Sequence, residues 1–368
     1  MRYLSARDQA ILAHTQSHAS LFGRDDLLPV VARGADRGKF LQAMLSQDIL
    51  AVPMGGVTTA CLCDAQGAIV AVAEVTVQPE AVILWTHRQS ASLLLEGLDK
   101  FVIMDDVELT LEEDWALVEL LGPTAPQVAA AAKLPWPVAG LTERVSFSSN
   151  PLADTEALLW ASSAGGAAGS PLGSALPSLL IRVTREAQGG LVEALITAGA
   201  QVGSHAVREV LRVAAGQVLL AKDVTDGSLP LEVGLKGAVS YRKGCYLGQE
   251  AIAMMTYRGQ IRRHLCWVTG EVGELPPSAD AAPQAGWNLR SADGKRAGRL
   301  GTCVMAGGST WFGLAMVQRR AFAAGALLQA SDDNGHTASV RIFETTVPGA
   351  LDSAPTAAPT TAPTEGAV

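Results

Sequence analysis

Two repeating patterns of apolar and polar positions divide the chain into predicted helices and strands. Apolar residues recur at helical spacing over 40–45, after Asp36 in the N-cap position, which predicts a core-facing helix that ends before Asp48. The apolar runs at 59–62 and 69–77 flank a four-residue turn that contains a glycine. Two apolar runs on either side of such a turn predict a β-hairpin.

Further strands and helices alternate up to about residue 214. Helices are predicted near the N-terminus and at 90–100, 125–133, 190–198 and 204–214, and strands at 27–31, 81–86, 101–110, 115–121 and 179–183. Residues 161–178 have the Gly, Ala, Ser and Pro composition of a loop. This order of elements resembles a split βαβ unit and predicts the α+β class.

The C-terminal part has a different pattern, in which short apolar segments recur between turn residues. They lie at 266–268, 287–289, 298–305, 311–317, 326–330 and 338–343, with a brief helical segment at 318–322. This pattern predicts a small antiparallel β-barrel. The last segment, 349–368, is rich in Ala, Pro and Thr, cannot bury a core and is predicted to be disordered.

Composition narrows the function classes. The 368 residues are 48% apolar and 17% charged, as expected for a globular protein of two or three structural units. A formal net charge of -8 argues against a broad surface that follows nucleic-acid phosphates, although it leaves room for a local basic patch. No apolar run approaches the roughly 18–20 residues of a membrane-spanning helix, and no secretory signal is visible, so we expect a cytoplasmic protein.

The densest group of chemically useful residues is the octapeptide at 243–250, which reads KGCYLGQE. Gly244 and Gly248 allow close backbone approach or a positive φ, so Cys245 is predicted to lie in a bend. Lys243 would favour the thiolate form of the cysteine and raise its reactivity.

The same octapeptide admits two interpretations. Tyr246 or Glu250 could donate or accept a proton beside the Cys245 thiol. Alternatively, the segment is a tight turn in which Cys245 and Tyr246 fill the core while Lys243 and Glu250 pair at the surface. Because neither a histidine nor a second cysteine is close in sequence, the residues alone leave both interpretations open.

Two groups of potential metal ligands are weaker candidates. Cys61 and Cys63 form a CxC pair without the companion pair of a zinc or iron–sulfur site, so buried structural thiols are favoured. Asp105, Asp106 and Glu108 have no histidine close in sequence, so a turn and a solvated strand face are favoured over a metal cluster. The odd number of five cysteines does not indicate a disulfide framework.

A small basic cluster follows the octapeptide. Arg262, Arg263 and His264, together with Arg258, would bind the anionic tail of a ligand or form a solvated rim, and the rim is favoured. Neither a phosphate-binding loop nor a dinucleotide fingerprint occurs in the sequence.

A specific resemblance is carried by the octapeptide, by residues 257–260 and by the basic pair 262–263. Together they closely resemble the signature of the YgfZ family, which is related to the glycine-cleavage T-protein, an aminomethyltransferase. The segments 34–49, 211–216 and 229–232 also look like family segments, so the resemblance covers roughly residues 25–345.

The resemblance implies an α+β folate-binding body with a ferredoxin-like portion and a small C-terminal antiparallel β-barrel. It divides the chain into an N-terminal folate-binding portion at 1–115, a ferredoxin-like portion at 116–265 that ends with the octapeptide, the barrel at 266–346 and a disordered tail at 347–368.

The family is described as binding tetrahydrofolate and supporting assembly or repair of iron–sulfur clusters in client enzymes, such as radical enzymes that thiolate transfer RNA. The resemblance therefore implies a folate ligand and iron–sulfur client proteins as partners, and we expect no direct nucleic-acid partner, no membrane partner and no metal ligands. The functional thiol matches Cys245, and its motif neighbours match Lys243, Gly244, Tyr246, Gly248, Gln249 and Glu250. Folate contacts are expected from Arg258, Asp48 and Lys243.

Three departures bear on the alternative function, a tetrahydrofolate-dependent aminomethyl or one-carbon transferase. The transferases carry an Asp pair after the glycine of the first hairpin, where this chain has Val70 and Ala71, and Glu74 lies several residues away. A carboxylate that would stabilise charge on a folate nitrogen is therefore missing. Ala214 replaces a Glu that contacts the pterin, and Met254 replaces a common Arg. Whether the chain is an enzyme stays open, with the absence of turnover favoured.

Overall fold

The computed structural model describes residues 4–150, 153–162, 170–173, 176–258, 261–271, 283–305 and 310–346, and this part of the chain forms three β-sheets and eight α-helices. The helices are α1 (Ala6–Ser17), α2 (Arg37–Met44), α3 (Arg88–Asp99), α4 (Ala125–Ala131), α5 (Gln188–Thr197), α6 (His205–Ala214), α7 (Leu220–Asp223) and α8 (Gln249–Arg258). The strands are β1 (Ser20–Gly23), β2 (Leu27–Arg33), β3 (Val57–Cys63), β4 (Ile69–Val77), β5 (Val82–His87), β6 (Glu108–Leu111), β7 (Trp115–Leu121), β8 (Thr142–Asn150), β9 (Ala153–Ser162), β10 (Ser178–Thr184), β11 (Gln201–Val202), β12 (Arg263–Glu271), β13 (Asn288–Arg290), β14 (Arg296–Met305), β15 (Thr310–Gln318), β16 (Leu327–Ser331) and β17 (Thr337–Thr346). Short 3-10 helices lie at Pro230–Val233, Lys236–Ala238 and Arg319–Ala321.

The first sheet has the strand order β3-β4-β5-β2-β6. The predicted hairpin is confirmed, because β3 pairs antiparallel with β4 from Val57 opposite Thr76 to Cys63 opposite Ile69. Apolar residues of α2 and α3, such as Leu41, join the core of this sheet. The amphipathic spacing predicted after Asp36 therefore produces a helix that packs on the hairpin.

The second sheet has the order β11-β1-β7-β10-β9-β8. Its core includes Leu120, Leu159, Ile181 and Leu191, all fully buried. The hairpin of β8 and β9 has no counterpart among the predicted elements. Since β1 comes from the first 25 residues and pairs with β7, the N-terminus crosses into this sheet. The portion boundaries proposed from the resemblance stay a prediction.

The third sheet is a closed barrel with the order β12-β15-β14-β13-β16-β17, which confirms the predicted barrel and the α+β class. Alternate residues of β15 face opposite sides: Ala315 and Val317 join the barrel interior, whereas Leu314 and Met316 join a core that includes residues of α6. Trp267 on β12 donates its indole N–H to the carbonyl oxygen of Val213 at 2.8 Å, which ties the barrel's outer face to α6.

The strand predicted at 101–110 is wrong over its first part. Residues 101–107 form turns and bends, and β6 begins only at Glu108. The Asp36 N–H donates to the Asp106 carbonyl oxygen at 3.1 Å, and the Asp106 N–H donates to Asp36 Oδ2 at 3.0 Å. These reciprocal bonds join two turns, so Asp36 holds the N-cap position of α2 without capping it through its side chain.

Three further sequence expectations have simple outcomes. Asp105 and Asp106 lie among the turns and bends before β6, and in the described part of the chain no group of three or more metal-ligating side chains occurs. None of the helices described is long and apolar enough to cross a membrane. The predicted disordered tail and half of the predicted loop at 161–178 lie outside the described residues.

Candidate functional site

Cys245 carries an exposed thiol on a bend between the 3-10 helix Lys236–Ala238 and α8. The other four cysteines are buried, and burial raises the pKa of each thiol, that of Cys61 to about 12. Cys61 and Cys63 share one apolar cluster, as expected for structural thiols. Among the five cysteines, Cys245 is therefore the one that a partner molecule can reach.

Lys243 binds the end of α2. Its Nζ donates to the carbonyl oxygens of Gln42, Leu45 (2.6 Å) and Gln47 (3.0 Å), and lies 4.8 Å from the centre of the Tyr246 ring. Partial burial lowers the pKa of Lys243 to about 8. An ammonium group has three N–H donors, so the predicted contact with a thiolate or a folate would require Lys243 to leave these carbonyl groups.

The segment that follows α2 connects the two regions of the family resemblance at 34–49 and 243–250. Asp48 Oδ1 accepts a hydrogen bond from Gln42 Nε2 at 2.9 Å, so its carboxylate stabilises the turn. Ser46 Oγ donates to the Ala238 carbonyl oxygen at 2.6 Å and accepts from the Cys61 N–H at 2.9 Å. The N-terminal family segment therefore lies directly against the chain that leads to the octapeptide.

Gly248 fixes the other end of the bend. Its φ is +82°, and a Cβ placed on it would lie 2.4 Å from the Asp64 carbonyl oxygen and 2.9 Å from Gly67 Cα. The turn of the first hairpin thus touches the octapeptide backbone to backbone. Gly244 differs, because its φ lies outside the left-handed region and a Cβ there would meet nothing within 4 Å. Only one of the two predicted glycine constraints is present.

The remaining octapeptide side chains separate into core and surface. Tyr246 is 8% exposed and joins the apolar cluster of Cys61, and burial raises the pKa of its hydroxyl group. Gln249 begins α8, and Glu250 is exposed in its first turn. The predicted proton-transfer role is therefore open for Glu250 but not favoured for Tyr246. The side chain of Arg258 lies outside the described residues.

A cavity of about 740 Å³, the central cavity, lies where elements of the three sheets meet. It is lined by Arg24, Asp26, His87, Arg88, Gln89, His205, Arg208, Glu209, Arg212, Leu219, Lys222, Gln284, Ala285, Thr302, Cys303 and Val304. Its volume lies in the range of about 300–1,000 Å³ that is typical of small-molecule sites. Among the described cavities, none has Cys245 in its lining.

Buried ion pairs form the wall of the central cavity. Glu119, fully buried, accepts from Arg24 Nη1 at 2.8 Å and from Arg208 Nε at 2.6 Å. Burial acts to raise the pKa of Glu119, but the two guanidinium groups outweigh it and hold that pKa below its ordinary value. Removing one partner would leave a buried charge uncompensated, so the network holds the second sheet to α6.

A second group of ion pairs joins α6 to the barrel. Arg212 donates to Glu209 at 2.7 Å, to Asp223 at 2.7 Å and to Thr302 Oγ1 at 2.9 Å. Sequence analysis missed Arg212 as a cavity residue, although a charged residue among the apolar positions of α6 was a usable signal. Ala214, where the transferases have a pterin-contacting Glu, is buried in the core of α6 and the barrel.

Neither the position of the transferase Asp pair nor Glu74 supplies a carboxylate to the described cavities. Ala71 is fully buried on β4. Glu74 accepts a hydrogen bond from Trp160 Nε1, and burial raises the pKa of its carboxyl group to about 7. It lines none of the described cavities, so it does not face a ligand site that they define.

The residues of the basic cluster after the octapeptide differ in burial and in their contacts. Arg263 Nη2 donates to Glu232 Oε2 at 2.8 Å and to the Gly227 carbonyl oxygen at 3.0 Å, which fixes the start of the barrel. His264 is buried, with its ring centre 5.0 Å from that of Phe322. Arg262 is exposed. The predicted solvated rim is therefore restricted to part of the cluster.

Comparison with known proteins gives a consistent result. A protein described as tRNA-modifying protein YgfZ from Yersinia enterocolitica is 27% identical over 334 residues, which cover 88% of this chain and 92% of that protein. A protein of the same description from Edwardsiella ictaluri is 26% identical over 276 residues, which cover 74% and 77%. No family model matches the chain.

The fold is shared with a solved structure. The glycine cleavage system aminomethyltransferase T from Bartonella henselae superposes with a TM-score of 0.73 over 91% of this chain and 88% of that one, at 19% sequence identity. Together with the sequence relatives, this superposition confirms the resemblance inferred from the octapeptide.

Proposed function

We propose that this chain, a relative of proteins described as tRNA-modifying protein YgfZ, supports transfer-RNA modification by acting on iron–sulfur client enzymes, with tetrahydrofolate as its ligand and Cys245 as its functional thiol. Sequence relatives described as tRNA-modifying proteins support the role. The aminomethyltransferase fold supports a folate as the ligand class. The expected compartment is the cytoplasm, where thiols stay reduced.

The observation that carries the proposal is the presentation of Cys245. Its thiol is exposed, while the bend that bears it is held by Lys243 at one end and by Gly248 at the other. Such a thiol can contact a client protein without local unfolding. A cluster takes about four cysteine-type ligands, so any cluster contacted by Cys245 must obtain its other ligands from the client or from a second copy of the chain.

The central cavity is the proposed folate site. A folate carries carboxylates at one end, which exposed His205 and Lys222 suit, and a pterin whose N–H groups donate hydrogen bonds, which Asp26 and Glu209 can accept. No Trp, Tyr or Phe is among its described lining residues, so ion pairs and hydrogen bonds would carry recognition. These residues would bind and orient the folate, which supplies one-carbon chemistry when it is bound.

Transferase activity is the less favoured function. Its carboxylate would come from the position of the transferase Asp pair, where this chain has Val70 and Ala71, and Glu74 lines none of the described cavities. The carboxylates that line the central cavity, Asp26 and Glu209, are paired with Arg24 and Arg212. A measurable turnover of an aminomethyl or methylated substrate that Glu74→Gln abolishes would reverse this order.

A complementation experiment tests the thiol. In a strain that lacks the protein, we expect thiolated transfer RNA, measured by mass spectrometry of nucleosides, to decrease. Wild-type protein should restore it, and Cys245→Ala should leave it at the level of the deletion strain, because the exposed thiol is gone while the buried core is unchanged.

Cys61→Ala is the matched control, since it also removes one thiol but from the core. It should restore thiolation if immunoblotting shows comparable protein levels. Full restoration by Cys245→Ala would exclude the thiol from the function.

A further inference from the structure

A second cavity, of about 1130 Å³, lies on the outer face of the barrel and is lined mainly by arginines. We call it the arginine hollow, and its basic residues are Arg262, Arg263, Arg296, Arg299, Arg319 and Arg320. The one carboxylate in its lining is that of Asp226. The whole chain has a net charge of -8, whereas the lining of this hollow is positively charged.

Most of these guanidinium groups have no partner within the described part of the chain. Arg263 is bound to Glu232, and Arg320 donates to the Arg296 carbonyl oxygen at 2.9 Å. The side chains of Arg262, Arg296, Arg299 and Arg319 are exposed and make no hydrogen bond or ion pair with any described residue. Their charge is available to a ligand.

Backbone pairing holds the arginines across neighbouring strands. The Arg319 N–H donates to the Arg262 carbonyl oxygen at 2.9 Å, and Arg299 lies opposite Met316 in the pairing of β14 with β15. In the barrel, β15 lies between β12 and β14. Neighbouring strands are about 4.8 Å apart, so Arg263 of β12 and Arg299 of β14 are separated by roughly 10 Å across the sheet. That width exceeds one phosphate group and suits a ligand with several anionic groups.

The composition of the hollow favours phosphate over a protein carboxylate surface. Guanidinium groups bind phosphate oxygens through two parallel hydrogen bonds. Protein interfaces rely on buried aromatic and apolar anchors, and Met316 is the only large apolar side chain among the described lining residues. The same lining has no aromatic ring on which a base could stack, so contacts would be made to the backbone of the nucleic acid.

We propose that the arginine hollow binds the phosphate backbone of a folded RNA, and that the protein therefore contacts transfer RNA directly. The choice of RNA over another polyanion rests on the proposed function; the anion site itself does not. The proposal differs from the expectation of no direct nucleic-acid partner. It agrees with the net charge, which argues against a broad nucleic-acid surface but allows a local basic patch.

The test uses the full chain and fluorescently labelled mixed transfer RNA, with binding followed by fluorescence anisotropy at several salt concentrations. We expect Arg299→Glu combined with Arg319→Glu to raise the Kd at least tenfold. The slope of log affinity against log salt should fall by about 2, because each phosphate-binding arginine contributes about 1 to that slope.

The matched control is Arg290→Glu combined with Arg341→Glu, which makes the same charge change at exposed barrel residues outside the hollow. It should change the Kd less than threefold. If the reversed pair lowers the Tm, the neutral pair Arg299→Gln and Arg319→Gln replaces it, with an expected three- to tenfold rise in Kd.

Three outcomes would overturn the proposal: no binding of transfer RNA by the wild-type chain, an equal loss in the control pair, or binding of a polyglutamate peptide in preference to RNA. The Cys245→Ala chain should bind transfer RNA as the wild type does. The RNA site and the thiol function can therefore fail independently, since one is scored by anisotropy and the other by complementation.

Discussion

Glu74 shows how one buried side chain can titrate near neutral pH without belonging to an active site. It lies on β4, where Trp160 donates its indole N–H to the carboxylate and stacks on Trp85 with ring centres 5.6 Å apart. Burial raises the pKa of the carboxyl group from its ordinary value of 4.5 to about 7. The charged form is therefore disfavoured in the folded protein.

Replacing Glu74 by Gln should change how stability depends on pH. Between pH 4.5 and 7 the folded protein holds a proton that the unfolded chain has released, so the wild type loses stability as pH rises through this window. Glu74→Gln lacks this loss and keeps an oxygen acceptor for Trp160. Urea unfolding should show the variant gaining on the wild type by on the order of 1–3 kcal/mol from pH 4.5 to pH 8.

The neighbouring buried carboxylate Glu119 provides a contrast, because its pKa is held low by two arginines and should not titrate in that window. A stability difference between wild type and Glu74→Gln that stays constant from pH 4.5 to 8 would show that the carboxyl group of Glu74 is not shifted.

At this scale the sequence predicts the properties of Cys245 better than those of Lys243. Flanking glycines predict a bend at Cys245, and the structure has an exposed bend there. The carbonyl groups that bind Lys243 belong to residues about 200 positions earlier in the chain, such as Leu45. A pattern read over eight residues contains no information about such partners.

At the scale of elements, the segment from Lys243 to Gly248 is a short bridge with two fixed ends. One end binds the last turn of α2, and the other touches the hairpin turn near Gly67. Both contacts are made to backbone atoms, at the end of the helix that packs on the first sheet and in the hairpin turn of that sheet. The bend therefore depends on the position of that sheet, and the geometry of the thiol depends on the bend.

Gly248→Ala should be strongly destabilising, whereas Gly244→Ala should be nearly neutral. At 248 an alanine meets a positive φ and the Asp64 carbonyl oxygen at 2.4 Å, and the left-handed conformation alone costs about 1–2 kcal/mol. At 244 neither restriction exists. Denaturant unfolding should show a loss of at least about 2 kcal/mol for the first variant and within about 0.5 kcal/mol for the second.

The rate at which a thiol reagent modifies Cys245 gives an independent readout. It should change in Gly248→Ala, because the bend is displaced, and stay unchanged in Gly244→Ala. Equal stabilities of the two variants would contradict the backbone contact between Gly248 and the hairpin.

Elements were predictable where the apolar period was strong and local. The hairpin β3–β4 and the barrel strands follow from short apolar runs separated by turn residues. The strand predicted over 101–107 does not form, since the conformation of these residues is decided by bonds between Asp36 and Asp106, 70 residues apart. The hairpin β8–β9 was not predicted, and no element was predicted over its first strand, 142–150.

At the scale of the whole molecule, the central cavity exists only because three sheets meet. Arg24 follows β1, α6 supplies Arg208, and Thr302 lies on the barrel strand β14. No one sheet contains the site. The sequence predicted the barrel and the α+β class, but not that β1 joins the second sheet, because strand order depends on packing between distant segments.

Calorimetric titration with tetrahydrofolate under reducing conditions tests the cavity as a ligand site. We expect binding by the wild type, and Lys222→Glu should raise the Kd about five- to tenfold by placing a negative charge near the folate carboxylates. Lys39→Glu makes the same charge change on α2, away from the cavity, and should have little effect.

The absence of binding at high micromolar tetrahydrofolate would favour a scaffold that has kept the fold without the ligand. Equal effects of the two lysine variants would instead place the folate outside the central cavity.

The contacts that hold the octapeptide also limit how early during synthesis the protein can complete its fold. The hydrogen bonds of Ser46 with Ala238 and of Lys243 with the end of α2 join residues 192 to 201 positions apart. At about 5–20 residues per second, roughly 10–40 s pass between synthesis of the two partners. During that interval Lys243 has not yet been synthesised, so the carbonyl groups at the end of α2 lack its hydrogen bonds. The first sheet and its helix therefore lack these contacts while the chain is still being synthesised. A chain interrupted before residue 243 can begin to fold, but it never presents the thiol.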